Sequence, residues 1–186
     1  MQTEIIISGF GGQGALFAGQ ILAYTAMDEG RHVTWIPSYG PEMRGGTANC
    51  TVVISDDDIG SPLVRHPTAV IAMNLPSLDK YEPLVAPGGA LVINGSLTNR
   101  PAHRTDIRVI DLPANAIAEE LGNPRLANLV LVGAMLSATG VLTVESVGQA
   151  LEAHLPQRHM QLLEANRAAL RRGAVEADHT LQPRAR

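Results

Sequence analysis

The chain has 186 residues, with 14 lysines and arginines against 18 acids (formal charge −4), 45% hydrophobic residues and only 3% aromatics. That length suits one domain with a substantial core and is short for two. The mild acidity removes any electrostatic case for nucleic acid or a membrane surface as partner. A single cysteine, Cys50, excludes an intrachain disulfide and an iron–sulfur cluster built by this chain alone.

Glu4 to Ser8 is a short β-branched run stopped by Gly9, which reads as a buried strand. No basic segment precedes it, so no signal peptide is expected and the expected compartment is the cytoplasm. Gly14 to Met27 sets Leu16, Phe17, Ile21, Leu22 and Tyr24 among small residues, a helix ended by Gly30. His32 to Ile36 reads as a second strand, Pro37 to Gly46 as a loop, and Ala48 to Ile54 as a third strand with no helix of its own, hence a candidate antiparallel strand. Further strands are expected at Ala69 to Met73, Ala90 to Asn94 and Ile107 to Asp111. Helices are expected at Pro76 to Val85, Pro113 to Leu121, Leu126 to Ala138, Val144 to Ala153 and Pro156 to Arg171. Leu126 to Leu142 is apolar but is interrupted by Asn128 and two glycines and is too short for a membrane span, so burial in the core or under a partner is expected. Gly173 reads as the stop of the last helix. The expected layout is therefore one domain over residues 1–172 and a flexible tail over 173–186.

Strands alternating with helices imply a single Rossmann-like α/β domain, a mostly parallel twisted sheet with helices on both faces. Gly9-Phe10-Gly11-Gly12-Gln13-Gly14 fits G-x-G-x-x-G between the first strand and the first helix. There Gly9 allows a tight turn, Gly11 a close backbone approach, and Gly14 close packing of helix on strand. A dinucleotide site also needs an acid at the end of the second strand for the ribose hydroxyls. Trp35-Ile36-Pro37-Ser38 offers none, so a packing turn or an interface is the better reading than NAD binding. A free-standing nucleotide-binding protein using the Gly9–Gly14 turn is kept as the alternative.

The loop Ser38-Tyr39-Gly40-Pro41-Glu42-Met43-Arg44-Gly45-Gly46-Thr47 places an acid, an arginine and a tyrosine among glycines, past the end of a strand where α/β sheets hold ligands and partners. It reads either as a solvated connector with a Glu42–Arg44 pair or as a docking loop whose arginine meets phosphate or carboxylate. Asn74 reads either as the cap of the helix that follows or as a group facing the same edge as Gly11. Cys50 reads as a small buried hydrophobe.

The glycine turn, the Pro37–Thr47 loop, Met73-Asn74-Leu75-Pro76-Ser77-Leu78, and Pro87-Gly88-Gly89 with Asn94 together resemble the gamma subunit of 2-oxoacid:ferredoxin oxidoreductases, the 2-oxoglutarate and branched-chain types above all. The resemblance runs from about Glu4 to about Arg172. It implies a complex that decarboxylates a 2-oxoacid on thiamine diphosphate, passes electrons through iron–sulfur clusters to ferredoxin, and transfers the acyl group to coenzyme A. It implies that thiamine diphosphate, Mg²⁺ and the clusters sit on alpha, beta and optional delta subunits, and that this chain holds no catalytic residue and no metal. It also implies that the chain supplies subunit interface and part of the coenzyme A site. The residues expected there are Gly9, Gly11, Gly12, Gln13, Gly14, Ser38, Tyr39, Glu42, Arg44, Gly45, Gly46, Thr47 and Asn74.

Overall fold

The computed structural model describes residues 1–39 and 47–181. Its strands are β1 (Gln2–Phe10), β2 (His32–Tyr39), β3 (Thr47–Ser55), β4 (Ala69–Ala72), β5 (Ala90–Asn94) and β6 (Arg108–Leu112), and its helices α1 (Ala15–Asp28), α2 (Leu75–Tyr81), α3 (Ala114–Glu120), α4 (Ala127–Thr139), α5 (Val144–His154) and α6 (Leu163–Leu181). One six-stranded sheet runs in the order β2-β3-β1-β4-β5-β6. β4 pairs parallel with β1, and β5 and β6 continue the parallel set.

β3 is antiparallel to both its neighbours, β1 and β2. Two reversals leave β2 running the same way as β1. So β1-α1-β2 is an ordinary parallel crossover with β3 inserted into the gap it leaves. The antiparallel placing of the helix-less strand is as expected. β2, by contrast, runs through Pro37 to Tyr39, where a loop was expected to begin. It is an edge strand, and an edge tolerates a residue that cannot donate to the ladder.

The two faces of the sheet are unequally covered. Ile5, Ile7, Cys50, Val52, Ile54, Ile71, Val92 and Ile110 point into the larger core, under α1, α3, α4, α5 and α6. Ile6, Val70, Ala72, Leu91 and Ile93 point the other way, against Leu78, Tyr81 and Val85 of α2 and the turn that follows it. The apolar segment read at Leu126 to Ala138 is α4, buried on nearly all sides by the sheet, α1, α3 and α6. Among the described residues no helix is long and apolar enough to cross a membrane.

The expected stop at Gly173 does not occur. A short 3-10 stretch, Gln157–Leu162, leads into α6, which continues through Gly173 to Leu181, so most of the segment expected to be a flexible tail is helical and packed. Gly173 is there because the backbone of α4 at Val130 passes directly against it, and Gly133 likewise meets the backbone of Leu170. Small residues at a helix crossing read the same in sequence as a helix stop.

Candidate functional site

The chain leaves β1 for β2 on one side and returns to β4 on the other, so the strand order reverses direction between β1 and β4. At such a reversal the loops leaving the carboxyl ends of the two strands diverge and open a crevice. The glycine turn lies at that point on β1, and Met73-Asn74 lies there on β4.

The individual glycines differ in role from the pattern's usual assignment. Gly9 is still within β1; a Cβ on it would meet Gln13 Oε1 at 2.7 Å and Met73 Cβ at 2.9 Å, so it permits β1, the turn and the end of β4 to converge. Gly12 and Gly14 have φ of 92° and 80°, in the left-handed region that favours glycine. Gly14 is the N-cap of α1, and its tight neighbour is Asn128 of α4, at 2.5 Å from a would-be Cβ, rather than the strand. Gly11 is exposed in the turn.

Gln13 folds back over the turn, and Phe10 N–H donates to its Oε1 at 2.6 Å. Asn74, 1% exposed, fills both roles weighed for it. Its Oδ1 accepts from Ser77 N–H at 2.9 Å and caps α2, while its Nδ2 donates to Gln13 Oε1 at 3.2 Å. The end of β4 is thus tied to the turn after β1.

Beyond these residues opens a cleft of about 190 Å³ lined by Gly12, Gln13, Met73, Asn94, Asn115, Pro124, Arg125, Ala127, Asn128 and Leu131. Asn94 ends β5 and donates to Asn115 Oδ1 at 2.8 Å. Asn115, Arg125 and Asn128 come from the starts of α3 and α4 and the turn between those helices, and were not singled out from sequence. Asn128 did carry a signal: it is the one amide in a largely apolar helix, and a buried amide needs a partner, here the Gly14 carbonyl at 3.3 Å.

Ser38 lies exposed near the end of β2 and pairs across to Asn49, and Thr47 opens β3 opposite Phe10. Tyr39 ends β2 beside them. These flanks of the Gly40–Gly46 segment therefore border the same sheet edge as the glycine turn. Glu42, Arg44, Gly45 and Gly46 lie outside the described residues.

Cys50 is fully buried under α1, with its sulfur directly beneath Gly19, and burial pushes its thiol up to about 11. Among the described residues no group of three or more His, Cys, Asp or Glu side chains is placed to hold a metal ion. A single cysteine does not supply the set of thiolates that holds an iron–sulfur cluster.

Residues 4–176 match the family model described as pyruvate ferredoxin/flavodoxin oxidoreductase. The chain belongs to that family. Ketoisovalerate oxidoreductase subunit VorA of Methanothermobacter thermautotrophicus is 38% identical over 183 residues, which is 97% of this chain and 38% of that one. The chain thus spans well under half the length of that relative. The gamma subunit of the keto/oxoacid ferredoxin oxidoreductase from Geobacter sulfurreducens superposes with a TM-score of 0.79 at 31% identity, over 95% of this chain and 99% of that one. A 2-oxoglutarate:ferredoxin oxidoreductase from Magnetococcus marinus, solved with 2-oxoglutarate, coenzyme A and succinyl-CoA bound, shares the fold at a TM-score of 0.86 and 20% identity, over 99% of this chain and 32% of that one. A free-standing nucleotide-binding protein finds no support among the family's members.

Proposed function

We propose that the chain is the gamma-type subunit of a multi-subunit 2-oxoacid:ferredoxin oxidoreductase, which turns a 2-oxoacid, coenzyme A and oxidised ferredoxin into acyl-CoA, CO2 and reduced ferredoxin. The observation that carries this reading is the end-to-end correspondence with a gamma subunit, 99% of that chain at 31% identity. Thiamine diphosphate, Mg²⁺ and the iron–sulfur clusters belong to the alpha, beta and optional delta companions, in the cytoplasm, and ferredoxin meets the assembled enzyme.

This chain's contribution is binding and orientation. The edge carrying Gly9, Gly11, Gly12, Gln13, Gly14 and Asn74 is preorganised by backbone hydrogen bonds, so a ligand seated there meets groups already in place. That edge is assigned, together with Ser38, Tyr39, Glu42, Arg44, Gly45, Gly46 and Thr47, to the subunit interface and to part of the coenzyme A site. The coenzyme A bound by the Magnetococcus enzyme supports the choice of coenzyme.

The test is reconstitution. The purified chain with 2-oxoacid, coenzyme A, thiamine diphosphate and viologen should show no turnover, and adding the companion subunits should supply it. Turnover by this chain alone overturns the reading, as does a fully active complex assembled without it.

A further inference from the structure

Three of the four side-chain amides lining the cleft, and Asn74 beside it, are fixed end for end by backbone groups, which admit no ambiguity: an N–H only donates and a carbonyl only accepts. Phe10 N–H sets Gln13 with its oxygen inward. Ser77 N–H takes the Asn74 oxygen, which turns the Asn74 amide nitrogen toward Gln13. Asn94 donates to the Met73 carbonyl at 3.3 Å and accepts from Ser96 N–H at 3.3 Å. Asn128 donates to the Gly14 carbonyl and accepts from Leu129 N–H. Asn115 follows at one remove: Asn94 donates to its oxygen, so its amide nitrogen is turned away from Asn94.

Two lining residues, Gln13 and Asn115, are left with amide nitrogens that have no acceptor among the described residues. The third polar group is Arg125, exposed at the rim, whose guanidinium pairs with no carboxylate among the described residues. No Asp or Glu lines the cleft. The side-chain groups left without a partner are therefore one-sided, amide donors and one positive charge.

We propose that this cleft is a donor-only seat for an anionic, acceptor-only group, a phosphate or a carboxylate, with Asn74 and Asn94 as the positioning residues that fix its polarity. A nucleobase or an amide carries donors as well and would leave them unmatched here, at the cost of an unpaired buried group. A volume of about 190 Å³ falls below the roughly 300–1,000 Å³ of sites that enclose a drug-sized molecule, so it takes a head group and not a whole nucleotide. The proposal rests on the oxidoreductase reading for the source of the anion, not for the polarity of the cleft.

The full chain is titrated calorimetrically with inorganic diphosphate and, separately, with 2-oxoglutarate. Binding of either supports the donor display, and the tighter one identifies the source as phosphate or carboxylate. Asn115→Asp keeps the acceptor for Asn94 and replaces the cleft-facing NH2 by an anionic oxygen. It should weaken binding by about 10- to 100-fold with the melting temperature unchanged. The difference from wild type should close on acidification to about pH 4, where the new carboxyl regains a proton to donate. Should that variant misfold, Arg125→Gln, which removes an exposed side chain with no carboxylate partner, must weaken the same anion. Absence of binding by both anions, or wild-type affinity in either folded variant, overturns the proposal. In that case reconstituted turnover with coenzyme A would still leave the gamma-subunit reading standing.

Discussion

Gly173→Ala should destabilise the fold although alanine is the better helix former. The glycine sits in α6 against α4: a Cβ there would lie 2.7 Å from the carbonyl carbon of Val130 and 3.0 Å from its Cα, with the carbonyl oxygen closer still. Ordinary carbon contacts are about 3.5–4.0 Å, so the helices would have to part by roughly 1 Å along a crossing buried on both sides. Overpacking against backbone, which cannot rotate away, costs about 3 kcal/mol or more. Helix propensity returns about 1 kcal/mol. The net loss is about 2 kcal/mol, which for a domain of this size lowers Tm by about 4–8 °C. Gly148→Ala is the matched control. It lies in α5, and its nearest would-be neighbours are Arg167 side-chain atoms at 3.6 Å, so the propensity gain should survive and Tm should rise. Thermal melts of the two variants beside wild type decide the matter. A Gly173→Ala protein melting at or above wild type would refute the close-crossing argument.

Glu82 is buried; burial alone pushes its carboxyl up, but hydrogen bonds from Arg104 N–H, the Arg100 guanidinium and His103 N–H outweigh it and hold it below the usual Glu range. Its stabilising contribution is therefore present above the ordinary Glu pKa and is lost as pH falls through the depressed one, so Glu82→Gln should cost about 1–3 kcal/mol at pH 7 in a urea melt and flatten the acid limb of the stability profile. Cys50, with its thiol pushed up to about 11, should resist a thiol reagent in the native state and react on unfolding. Because its folded pKa is raised, stability should hold below the unfolded thiol's pKa near 9 and decline as pH rises from there toward 11; prompt native-state labelling at pH 8 would contradict the burial. Calorimetric titration with NAD should show no low-micromolar binding, since β2 carries no acid for the ribose hydroxyls.

Much of this molecule is legible along the chain because it depends on local pattern. β-branched runs bounded by glycine mark the strands, glycine and proline punctuate them, and the G-x-G-x-x-G turn between β1 and α1 marks one end of the crevice. Asn74 was ambiguous in sequence because a helix cap and a group tied to that turn look alike; in three dimensions its oxygen and its nitrogen do the two jobs separately. What tertiary structure alone decided depends on residues far apart in sequence. The insertion of β3 between β1 and β2 follows from pairing across the sheet, and nothing local to Thr47–Ser55 states which neighbours it takes. Gly173 became a crossing point because Val130, more than forty positions away, lies against it. The cleft draws Gln13, Asn94, Asn115, Arg125 and Asn128 from separate segments, and the direction in which each amide points is set by backbone groups that only the folded chain brings within hydrogen-bond distance.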